Sequence, residues 1–123
     1  RFDPTEGTWE TMASMPTPRR LCAATMVART LCVVGGEFEE PPVWYTDGTW
    51  RQYQQVKAAE SFDPFSGTWR KLPDMPTARA GCSAATIGGL LYVIGGRIGE
   101  VVQATVERFD SAVGRWERLP KMP

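Results

Sequence analysis

Three times in 123 residues the chain writes Phe-Asp, with Gly five positions after the Phe, Trp seven after it and Met-Pro thirteen after it. The copies are Phe2-Asp3, Gly7, Trp9, Met15-Pro16; Phe62-Asp63, Gly67, Trp69, Met75-Pro76; and Phe109-Asp110, Gly114, Trp116, Met122-Pro123. Between the Met-Pro pairs, Arg19 and Arg79, Cys22 and Cys82, then Gly35-Gly36 and Gly95-Gly96 recur in the same order. The repeats are 60 and 47 residues long, and the 13-residue difference falls wholly between the Gly pair and the next Phe. Self-similarity at such a period marks an array of supersecondary units, each burying its face only by stacking on a neighbour.

Within a unit the pattern is that of strands. Residues 21–27 and 81–87 are small and apolar, as an inner strand crowded on both faces requires, and residues 31–34 and 91–94 are short buried strands ending in Gly-Gly. Gly88-Gly89 suits a tight primed turn between them, whereas Ala28-Arg29 suits it poorly, so the first hairpin is expected to be wider or strained. Ala59–Asp63 and Val106–Asp110 read as third strands closed by a turn, and residues 69–72 alternate apolar and polar as an outer strand does. No window has a helical period. The chain is expected to be all-β.

Composition removes several function classes. With 14 basic and 14 acidic residues the net charge is zero, which argues against duplex nucleic acid or an anionic membrane as the main partner. The absence of histidine removes Ser-His and Cys-His nucleophile pairs and imidazole metal sites. Cys22, Cys32 and Cys82 have no CxxC spacing, and their odd number points to free thiols in a reducing, cytoplasmic setting rather than to a disulfide framework. Neither Gly pair continues into a phosphate-binding motif. No catalytic residue, metal site or cofactor is expected.

Four strands per unit, Gly-Gly closing the second and Trp opening the fourth, with Arg and Phe-Asp in fixed order, resemble the kelch repeat of β-propellers. The resemblance implies kelch-type blades of four antiparallel strands, a to d from the inside outwards. It divides the chain into outer strands c–d at 1–16, a full blade at 17–76 with a b–c insertion at 37–57, and a full blade at 77–123. Two and a half blades are an incomplete propeller, since closure takes about four to eight. The rest is expected from a longer chain, because two copies would bring surplus c–d pairs and no a–b pair to complete them.

The glycines of Gly35-Gly36 and Gly95-Gly96 let a bulky ring or a neighbouring backbone approach. The resemblance implies that the rings are those of Phe62 and Phe109 with Trp69 and Trp116; Trp9 is their counterpart in the first copy. Cys22 and Cys82 fit as small hydrophobes on the inner strand. For Arg19 and Arg79 two roles are open: hydrogen bonds to carbonyls within or between blades, or an anion-gripping fork at the propeller mouth. In kelch-type substrate adaptors the d–a and b–c loops share one face and bind acidic peptides through basic residues. This maps onto Arg19, Arg20, Arg79 and Arg97, although Glu37 stands where the second blade has Arg97.

The insertion adds Trp44, Tyr45, Trp50 and Arg51 around Asp47-Gly48, a primed-turn signal. A two-residue turn would pair Thr46 with Thr49, Tyr45 with Trp50 and Trp44 with Arg51, on the interaction face. These rings either pack back onto a blade or serve as a hydrophobic anchor, since Trp, Tyr and Arg dominate interface hot spots. The expected function is therefore protein binding, as part of a kelch propeller that holds a partner polypeptide on its loop face, an acidic one where the basic loop residues meet it. A flanking BTB or other ligase-recruiting domain would make it a substrate adaptor for ubiquitination; otherwise the resemblance implies a cytoskeletal, ciliary or signalling scaffold. The alternative is a kelch-fold enzyme of the sugar mutarotase or specifier type, with Arg19, Arg79 and Glu37 at the mouth.

Overall fold

The computed structural model describes residues 1–123 except Tyr45, Asp47 and Thr49; the side chains of Pro42, Val43, Trp50 and Arg51 also lie outside the described set. Among the described residues fourteen strands run in chain order. β1 (Phe2–Asp3) and β2 (Thr8–Trp9) form a ribbon. The first blade is β3 (Ala23–Val27), β4 (Thr30–Val34), β7 (Ala59–Asp63) and β8 (Thr68–Leu72), side by side in that order. Between its second and third strands stands a hairpin of β5 (Glu37–Trp44) and β6 (Trp50–Gln55). The second blade repeats the plan with β9 (Ser83–Ile87), β10 (Leu90–Ile94), β13 (Val106–Asp110) and β14 (Arg115–Leu119). Its own hairpin is β11 (Arg97–Ile98) with β12 (Val101–Val102). The insertion is thus the longer version of a hairpin that both blades carry.

The core lies between the blades. Val27, Cys32, Val34 and Ala59 of the first pack with Leu91, Val93 and Phe109 of the second, and Met75 from the connection between them is buried with these. The three Phe–Trp pairs sit opposite each other across the outer strands, with ring centroids 5.2, 5.1 and 5.0 Å apart. Each later Trp also reaches back one unit. Trp69 Nε1 donates to the Ala13 carbonyl at 2.9 Å, and Trp116 Nε1 donates to that of Pro73 at 2.7 Å.

The glycine pairs answer to backbone, not to rings. A Cβ on Gly35 would stand 2.6 Å from the Arg79 carbonyl oxygen, and one on Gly36 would stand 2.7 Å from that of Arg20. The Gly36 N–H donates to that same Arg79 carbonyl at 2.7 Å, so glycine here is what allows neighbouring blades to bond. The expectation that the Phe and Trp rings fill this space does not hold. Cys22 and Cys82 are half-buried just before the inner strands, under the second glycine of each pair. The inner strands begin two residues later than the sequence pattern suggests, because Leu21 and Gly81 take positive φ (53° and 64°) and break the extended run.

Of the two inner hairpins, Gly88-Gly89 makes the turn with both φ positive. Ala28-Arg29 makes it at the same length, with Val27 opposite Thr30, so that hairpin is strained rather than wider: Ala28 sits at φ 52°. In the long hairpin Trp44 faces Trp50, not Arg51, and the register shifts between Glu39 and Val43. Pro41 and Pro42 lie in that interval and have no N–H to give to the ladder, which accounts for the slip. The pairings proposed for Tyr45 with Trp50 and Thr46 with Thr49, and the Asp47-Gly48 turn, fall outside the described residues.

Candidate functional site

Each blade holds one buried arginine by the same set of partners. Arg19 Nη1 donates to the carbonyls of Gly35 (3.0 Å) and Ala58 (2.7 Å), and its Nη2 donates to Glu60 at 2.6 Å, while Thr17 donates to the other Glu60 oxygen at 2.7 Å. Arg79 repeats this on Gly95 (2.9 Å) and Thr105 (3.1 Å); its Nη2 stands 3.1 Å from Glu107, outside hydrogen-bond alignment, and Thr77 donates to Glu107. Both guanidinium groups have no exposed surface. They tie the end of the second strand to the start of the third within one blade, which makes them unavailable to a partner. Of the two roles open to Arg19 and Arg79, the structure places them in the carbonyl-binding one. Glu60 and Glu107 did not figure in the sequence reading, yet both stand two residues before the repeated Phe, and that spacing was the signal.

The other two arginines converge on Glu37. The backbone of Arg20 and Glu37 exchanges both hydrogen bonds at 2.9 Å, which fixes the d–a connection to the base of the hairpin. Arg20 then donates through Nε and Nη2 to Glu37 Oε1 (3.2 and 3.1 Å) and lies 3.8 Å over the Tyr53 ring. From the second blade, Arg97 Nη2 donates to Glu37 Oε2 at 2.9 Å, and Gln55 donates to the same oxygen at 2.9 Å. Gln55 also accepts from the Gly99 N–H at 3.0 Å, so the two hairpins are joined twice. Burial pushes the Glu37 carboxyl up, but the hydrogen bonds from Gln55 and Arg20 and the Arg97 charge outweigh it and hold the group below the ordinary carboxylate range.

The result is a buried anion under two partly exposed cations. Glu37 has no exposed surface, whereas the Arg20 and Arg97 side chains are 55% and 36% exposed. The cluster keeps one positive charge in excess, facing solvent beside the long hairpin. The difference in sign between Glu37 and Arg97 is what lets the bases of the two hairpins form an ion pair. Trp44 stands on the same hairpin with 56% of its surface exposed, and it interacts with other parts of the chain. Trp50 lies opposite it in the ladder. The side chains of Trp50 and Arg51, and all of Tyr45, are outside the described residues. Tyr53 and Gln55 were absent from the sequence reading, since only the hairpin register brings them to Arg20 and Glu37. Among the described residues no helix is long and apolar enough to cross a membrane.

The Kelch motif model matches residues 78–123, which span the whole second blade. An F-box/kelch-repeat protein of Arabidopsis thaliana is 30% identical across 97% of this chain. The chain belongs to the kelch-repeat β-propeller family. The human Kelch repeat and BTB domain-containing protein 13 is likewise 30% identical, over 99% of the chain. The chain spans only 28% and 25% of the length of these two kelch relatives. Among solved structures, that of YjhT superimposes with a TM-score of 0.77 over 94% of this chain and 41% of its own length, at 18% identity, which bears on the fold alone. The observed blades are those of an all-β kelch propeller, present here as two four-stranded blades and a two-stranded ribbon.

Proposed function

We propose that this kelch segment is a protein-interaction module that binds a partner polypeptide on the face formed by its d–a and b–c loops, without chemistry, in the cytoplasm. The observation that carries the reading is the convergence of Arg20 and Arg97, from two blades, on one buried carboxylate. Their guanidinium groups are held in place and half-open, and the excess charge suits a carboxylate of an acidic partner. Trp44 and its neighbours on the long hairpin supply the apolar part of the contact. F-box and BTB domains in the names of two relatives support an adaptor that presents the bound polypeptide to a ligase, in preference to a cytoskeletal or ciliary scaffold. The three free thiols fit a reducing compartment.

The test is calorimetric titration with an Asp/Glu-rich peptide against its Asn/Gln counterpart. The acidic peptide is expected to bind at least tenfold tighter, with affinity falling as salt rises. Arg20→Gln combined with Arg97→Gln is expected to remove that preference while the far-ultraviolet spectrum stays unchanged. Equal binding of the two peptides, or an unaffected double variant, would reject the reading.

A further inference from the structure

A crevice of about 430 Å³ opens between the two blades at the end formed by the a–b and c–d turns, away from Glu37. Its floor is apolar: Val27, Cys32 and Phe109 are buried and Leu72 is half-buried. Arg29 and Arg70 line it and are both exposed. Among the described residues neither guanidinium makes an ion pair. Arg29 lies 5.5 Å from the Phe65 ring centroid. The Asp63 carboxylate interacts with Arg70 through charge alone, and it already accepts the Phe65 N–H at 2.8 Å.

The second blade shows what the first has given up. At the register where Ser61 faces Arg70, the second blade has Arg108 facing Glu117, and these two form a salt bridge that neutralises the position. Where the first blade has Arg29, the second has Gly89, in a turn that both glycines make without strain. The first blade instead holds Ala28 at φ 52°, a left-handed conformation that is strained for any residue with a side chain. Strain of this kind persists where the surroundings enforce it, and it collects at ligand sites. Two independent departures from the repeat thus leave two exposed cations, neither in a salt bridge among the described residues, over one apolar floor, with the Asp63 carboxylate, already engaged by the Phe65 N–H, as the one anion on the lining.

We propose that this inter-blade crevice binds a small organic monocarboxylate, its apolar body on Val27, Leu72 and Phe109 and its carboxylate between Arg29 and Arg70. The volume lies within the range of small-molecule sites, which combine an apolar lining with a few placed polar groups. Guanidinium groups match a carboxylate by paired, charge-assisted hydrogen bonds. The site is distinct from the loop face, so it stands or falls independently of peptide binding there.

The experiment follows backbone amide signals by nuclear magnetic resonance while the chain is titrated with 3-phenylpropionate, and separately with uncharged 3-phenylpropionamide. The acid is expected to give saturable shifts grouped at Val27, Cys32, Leu72 and Phe109, with the amide at least tenfold weaker. Arg29→Gln with Arg70→Gln is expected to weaken the acid at least tenfold; because both side chains are exposed, the remaining spectrum should be unchanged. No saturation by about 10 mM acid, a shift pattern located elsewhere, equal affinity for acid and amide, or an unaffected double variant would each overturn the proposal.

Discussion

Arg19 and Arg20 are adjacent in sequence and opposite in circumstance. Arg19 is fully buried and meets Glu60 at 2.6 Å, whereas Arg20 meets Glu37 at 3.1 Å with half its side chain in water. Removing one partner of a buried pair strands the other charge, at a cost of about 3–5 kcal/mol, while exposed pairs contribute about 0–1 kcal/mol. Glu60→Gln is therefore expected to lower the urea midpoint by an amount worth about 3 kcal/mol or more, and Arg20→Gln by clearly less, because Arg97 and Gln55 still hold the buried Glu37 carboxylate. Similar losses for the two variants would show that Arg19 is not held as described. The repeated arginines were plain in the sequence because their spacing is invariant between copies. Which of them would be buried was not, since burial is decided by Glu60 and Glu107 some forty and thirty positions away.

At the scale of elements, each blade is built from strands whose alternation the sequence displays, and the third strands have the bounds that the pattern suggests. What escaped the sequence were the joints. Leu21 in the left-handed region and the slip at Pro41-Pro42 depend on backbone geometry that residue types disclose only indirectly. Leu21 occupies the position of Gly81, has close to half its surface exposed and so has little burial to lose. Leu21→Gly is accordingly expected to stabilise the chain by about 1 kcal/mol, the strain relieved being partly offset by the greater freedom of glycine when unfolded. Thermal and urea unfolding will measure it, and a destabilised variant would mean that the Leu21 side chain packs more than its exposure suggests.

The whole molecule is held together blade to blade by a few repeated devices. Gly36 N–H bonds the Arg79 carbonyl, the Trp indoles reach back one unit, and Arg97 crosses to Glu37. The last of these is sensitive to acid. Because the folded Glu37 carboxyl lies below its ordinary value near 4.3, its stabilisation is complete above that value and is lost as pH falls through the lower, folded one. Hydrogen exchange, corrected for intrinsic rate, is expected to show the Gly99 amide losing protection as pH falls below the ordinary carboxylate range, while the amides of the blade strands keep theirs. Glu37→Gln should abolish that pH step; a step that survives in the variant would assign it to another carboxylate.

The two b–c hairpins differ in length and share one foundation. At the base of each, the same carbonyl accepts the returning strand, Gly36 from Val56 and Gly96 from Gln103, both within 2.9 Å. Beyond that clasp the hairpin hydrogen-bonds mainly to itself, as a separate two-stranded sheet. Thirteen residues have been added above it in one blade with no change in how Phe62 or Phe109 meets its neighbours below. The clasp works like the socket of an interchangeable tool: new lengths and new side chains can be fitted at the rim of the propeller, and the ring beneath need not be redesigned to carry them.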